Sequence, residues 1–163
     1  MTSPPAAAPP STQGQRTERR QAGLRQANLA VLIVLIVQFA LGMGVNLYVT
    51  LPAAGHPGHN AWFGNGALLA LHAALGMLLI LAAIFVLVRA IMARNATIIV
   101  TSAAGLVAIL FAAFFGSGFT DKLTDGYSIG MALAFAVAAA CYAIGLFAAP
   151  AAKSVGDAGV PRL

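Results

Sequence analysis

Charge is the scarcest commodity in this sequence. Only 8% of its 163 residues are Asp, Glu, Lys or Arg, against roughly 25% in soluble domains. The carboxylates are Glu18, Asp121, Asp125 and Asp157, and none lies within a long apolar run. No Lys or Arg lies within one either. Ion-coupled transporters and proton pumps usually need such a group inside the membrane, and no pair of broken helices marks a transporter site. Paired carboxylates, a Gly-rich phosphate loop and a nucleophile elbow are also missing, so catalysis is the weaker expectation. Cys141 is the single cysteine, which excludes a disulfide within the chain. The net charge is +5, but the basic residues sit outside the apolar runs and do not describe a nucleic-acid surface.

What the chain has in abundance is apolar sequence, 60% of its residues. Four long runs fill it from about Ala30 to Ala149. Each approaches the ~20 residues that carry an α-helix across a bilayer core of about 30 Å. The expected fold is all-α, a polytopic membrane protein built as a bundle of four transmembrane helices. The spans are expected at about 28–50, 66–88, 97–118 and 127–149, stopped by Pro52 and Pro150 at two of their ends. Residues 1–27, rich in Pro, Ala, Gln and Arg, read as a disordered basic tail. Residues 150–163 form a second polar tail. The first run is too long for the roughly 7–15-residue core of a signal peptide, so it reads as an uncleaved anchor.

Orientation follows from lysine and arginine. Arg16, Arg19, Arg20 and Arg25 precede the first span, Arg89 and Arg94 join the second to the third, and Lys153 and Arg162 follow the fourth. Lys122 alone lies on the other side. Both termini are therefore expected in the cytoplasm of a plasma membrane, with outer loops at 52–65 and 119–126. Tyr48, Trp62, Phe63, Phe119 and Tyr127 fall near the outer boundary, where amphipathic aromatics settle.

Small residues at helical spacing mark where membrane helices meet. Gln38, Gly42 and Asn46 share one face of the first span, and His72 and Gly76 share one face of the second. Folding the hairpin about His59 sets Asn46 opposite His72 and Gly42 opposite Gly76. In the third span Gly105 and Gly116 share a stripe with Thr101, Ala108 and Ala112. In the fourth, Gly130 and Gly145 do so with Ala134, Ala138 and Cys141. Both stripes read as packing seams.

His72 is the titratable group of interest inside a span. It is either a neutral residue hydrogen-bonded to Asn46 or to a backbone carbonyl, a haem or metal ligand, or a handler of protons or substrate. His56 and His59 lie three apart in the first outer loop. Two imidazoles could help hold copper or zinc, though no cysteine or carboxylate there completes a site.

The stretch Gly44 to Pro52 (GVNLYVTLP), the run His72 to Gly76 (HAALG), Ser128 to Met131 (SIGM) and Cys141-Tyr142 resemble a set of small four-span actinobacterial membrane proteins. That resemblance covers most of residues 30–149 and implies a bacterial integral membrane protein without implying an activity. The outer loop followed by His72 on the second span is also similar to one four-helix half of haem A synthase. That family implies haem ligation by His72 and by a second histidine on the fourth helix, and residues 127–149 contain none. The expected role is structural, or accessory to a larger membrane complex, with the bilayer, other membrane subunits or further copies of the chain as partners and no cofactor. The alternatives are a haem-b redox protein using His72, its second ligand an outer-loop histidine or the His72 of a second copy, and a small oligomeric transporter or channel. Gln38, Asn46, Thr101 and Ser102 are the residues that could line a lumen.

Overall fold

The computed structural model describes residues 12–49, 66–122 and 125–148. Four helices account for nearly all of them: α1 Thr12–Tyr48, α2 Ala67–Ala93, α3 Ala96–Lys122 and α4 Asp125–Ala148. All four are long and apolar enough to cross a membrane. Through their spanning segments they are apolar around the whole girth, not along one stripe. Leu47, Leu81, Val100, Phe114, Leu133 and Phe147 all point outward, each more than half exposed.

Each helix packs against two neighbours in the ring α1–α2–α3–α4, and the ring closes through α1 and α4. Neighbours run antiparallel. Gly105 faces Tyr142 while Gly118 faces Tyr127, and Gly23 faces Arg89 while Gly42 faces His72. The start of α1 and the end of α4 therefore share one end of the bundle. At that end Leu24, Ala90 and Ile98 are buried together. The middle is filled by Val31, Leu35, Leu79, Ala83, Val86, Ala108, Ile109, Ala138 and Tyr142.

The elements differ from the sequence expectation at their ends. Residues 12–27 were expected in a disordered tail, yet α1 is helical back to Thr12. Gln, Arg, Ala and Glu dominate this stretch and are good helix formers. The apolar helix that follows removes the cost of nucleation. Leu24, 2% exposed, pins the segment to the bundle. The expected loop around Arg89–Asn95 shrinks to Arg94 and Asn95. Arg94 is left-handed (φ 54°, ψ 34°) and ends α2. The Asn95 Oδ1 then accepts the Ile98 N–H at 3.2 Å and caps α3. The second expected outer loop is shorter too, since α3 reaches Lys122 and α4 starts at Asp125. His56, His59, Trp62, Phe63 and the 150–163 tail lie outside the described residues.

Candidate functional site

A cavity of about 230 Å³ opens between the helices in the half of the bundle away from the chain termini. Its wall comes from the second half of α1, the first half of α2, the second half of α3 and the first half of α4. The lining is mostly apolar, with Phe39, Met43, Met77, Met131 and Phe135 prominent. Phe39 stacks on Phe135, ring centroids 4.6 Å apart, and joins α1 to α4 at this level. Polar groups on the wall are few: Gln38, Asn46, His72, Ser117, Thr120 and Ser128. Two of these are committed to their own helix. Ser117 Oγ donates to the Phe114 carbonyl at 2.9 Å, and Thr120 Oγ1 to the Ser117 carbonyl at 2.7 Å.

Gln38 and His72 form the polar corner. Gln38 Nε2 donates to the His72 main-chain carbonyl at 2.9 Å. The same amide nitrogen lies 3.4 Å from His72 Nε2. The amide nitrogen has hydrogens to give and no lone pair to accept. His72 Nε2 is therefore the acceptor of that contact, which puts the proton of the neutral ring on Nδ1. His72 Nδ1 and Gln38 Oε1 are both buried without a hydrogen-bond partner.

The expected pairing of Asn46 with His72 is not the one the helices adopt. The hairpin register is shifted by one helical turn. A Cβ on Gly42 would stand 3.0 Å from His72 Cε1, and one on Gly76 would stand 3.0 Å from Gln38 Nε2. Each glycine faces a polar side chain of the other helix, where the sequence spacing had set the two glycines opposite each other. Asn46 is exposed and lies one turn further along the cavity wall. Spacing alone could not separate registers four residues apart, because Gln38, Gly42 and Asn46 repeat with that same period.

The glycines of α3 and α4 serve likewise. Gly105 faces the Tyr142 ring, Gly116 faces Met131 Sδ, Gly130 faces the Phe115 ring, and Gly145 faces Asn28 and Thr101. Asn28 is fully buried; its Nδ2 donates to the Leu24 carbonyl at 3.0 Å and its Oδ1 sits over Gly145. Ser102 and Tyr142 are buried as well, at 1% and 0% exposure. This polar belt and the alanines packed beside it fill the terminal half of the bundle, beyond most of the residues that line the cavity.

Comparison with family models, curated proteins and solved structures finds no match for this chain.

The geometry bears directly on the alternative of a haem, which the similarity to haem A synthase implies. Pockets that enclose drug-sized ligands have roughly 300–1,000 Å³, and a haem needs more than the cavity offers. Among the described residues His72 is the sole histidine, and its Nε2 is engaged by Gln38. These residues do not fit a haem. Among them, no group of three His, Cys, Asp or Glu is placed to hold a metal ion. The sequence singled out His72 and the glycines. It carried no signal for the methionines, which come from three separate helices and meet only in the folded bundle.

Proposed function

We propose that this chain is a multi-pass plasma-membrane protein with both termini in the cytoplasm, serving as a structural or accessory component of a membrane assembly. Its own contribution would be a binding cavity in the outer half of the bilayer. The reading is supported above all by the asymmetry of the bundle: packed shut in the terminal half, hollow in the other. A site open from one half only suits a binding protein and argues against a conducting pore.

The orientation is supported by charge. Arg19, Arg20, Arg25, Arg89 and Arg94 lie at the closed end of the bundle, and Lys122 lies at the hollow end. With basic residues held inside, the cavity faces the outer leaflet. A lining of Phe, Met and Ala favours an apolar or amphipathic molecule entering from the lipid.

Reporter fusions at Gly58 and Gly126 are expected to report the outside, and fusions after Asn95 and Leu163 the inside. An external C-terminus would overturn the orientation. Purification in mild detergent, followed by mass spectrometry of what accompanies the protein, tests the accessory role. A stable partner membrane protein is the expected result, and a lone chain under several gentle conditions would count against it.

A further inference from the structure

We infer that the cavity selects amphiphiles with a neutral hydroxyl head and a short apolar tail; this rests on the cavity being a binding site, as proposed above. The argument starts from what the wall leaves unsatisfied. The His72 carbonyl can only accept, so the end of the Gln38 amide that meets it at 2.9 Å is the nitrogen. That fixes the other end, Oε1, as a buried acceptor without a partner. The contact of Gln38 Nε2 with His72 Nε2 leaves the imidazole proton on Nδ1, a buried donor without a partner. One corner of an otherwise apolar cavity therefore holds one unused donor and one unused acceptor.

Buried polar groups of this kind are costly to leave unpaired, more so where water is scarce. A hydroxyl is the neutral head that can serve either atom, since its oxygen can accept from Nδ1 and its hydrogen can be given to Oε1. An ionised carboxylate would accept from Nδ1 and repel Oε1. An ammonium would do the reverse. A bare alkane would answer neither. Elsewhere on the wall Ser117 and Thr120 have given their hydrogens to their own helix, while Asn46 lies exposed one turn from the corner. Both corner atoms are buried, so a head group reaches them by displacing side chains. Met43, Met77 and Met131 make the wall adaptable enough for this, since an unbranched thioether repacks readily.

The test is photolabelling of the full chain in lipid nanodiscs. The probes are an octanol with a diazirine in its chain, the matching alkane without the hydroxyl, and the matching carboxylate. Labelled residues are mapped by mass spectrometry. The alcohol is expected to label the cavity wall, and excess plain octanol to suppress that labelling. Its preference over the alkane should be about threefold to tenfold, the size of one net neutral hydrogen bond or two. In Gln38→Met, and separately in His72→Leu, the alcohol-to-alkane ratio should fall, since each removes one of the two partners, and in the double variant it should reach near unity. Labelling by the alkane shows in each variant whether the cavity is still formed. Equal labelling of the cavity by alcohol and alkane in the unmodified chain would overturn the hydroxyl selectivity and leave the cavity as a binding site. Stronger labelling by the carboxylate would overturn it too. Labelling spread evenly over the lipid-facing surface, without competition by octanol, would overturn both.

Discussion

Gly105 and Gly116 occupy the same stripe of α3, about three turns apart, yet an added methyl meets different surroundings at each. At Gly105 it would lie 2.6 Å from Tyr142 Cε2, in a ring that is fully buried and has nowhere to go. At Gly116 it would lie 3.5 Å from Met131 Sδ, an ordinary contact with a flexible chain. Gly105→Ala should therefore lower stability by about 1–3 kcal/mol through overpacking, while Gly116→Ala should be nearly silent. Thermal unfolding of the two variants in one detergent compares them directly, and equal losses would refute the assigned neighbours. A second residue-scale expectation concerns Gln38 and His72. Interhelical hydrogen bonds in membrane proteins average about 0.6 kcal/mol and reach about 1.7. Alanine at both positions should show coupling at the lower end of that range in a double-mutant cycle, because the bond to the His72 main-chain carbonyl survives His72→Ala and only the 3.4 Å side-chain contact is read. The Asn46–His72 cycle should show almost none, which distinguishes the observed register from one shifted by a turn.

Helix ends, more than helix bodies, carry the differences between expectation and structure. The α2–α3 connection is two residues long because Arg94 adopts a left-handed backbone and Asn95 at once caps the next helix. Removing that cap by Asn95→Ala should cost about 1 kcal/mol, seen as a lowered unfolding midpoint, with Asn95→Ser or Asn95→Asp restoring most of it. The early start of α1 has a different cause. At 1.5 Å per residue its 37 residues span about 55 Å, well beyond the bilayer core, and Leu24 holds the projecting part against Ala90 and Ile98. Leu24→Ala should loosen this end first. Amide exchange should quicken over residues 19–27 and stay slow from Val31 onward. A uniform change along α1 would show that the extension is not held separately.

For the molecule as a whole, the contrast between a filled half and a hollow half sets the expected behaviour. Ala83 and Tyr142 are completely buried beyond the cavity, where a pore would have to pass. Liposomes carrying the purified protein should therefore show no ion or small-solute flux above empty liposomes. A measurable conductance would require the closed half to open, or a lumen between several copies, and would restore the channel reading. Absorption of the same preparation, expressed with adequate haem supply, should show no Soret band, since His72 already holds Gln38 and the cavity is too small.

The sequence by itself determined the class and the number of elements, because spanning lengths of uncharged apolar residues leave the backbone no option but helix. It also marked the residues that matter at the seams: Gly42, Gly76, Gly105, Gly130 and Gly145 all face a side chain of another helix. What it could not determine was which partner each one meets. Gln38, Gly42 and Asn46 recur every four residues, so sliding the hairpin by a turn preserves the pattern while changing every contact. Only the tertiary structure chose between those registers, by seating the His72 ring on Gly42 and the Gln38 amide on Gly76. The cavity likewise belongs to the fold alone, since its methionines and phenylalanines come from separate helices and no local spacing announces that they will share a wall.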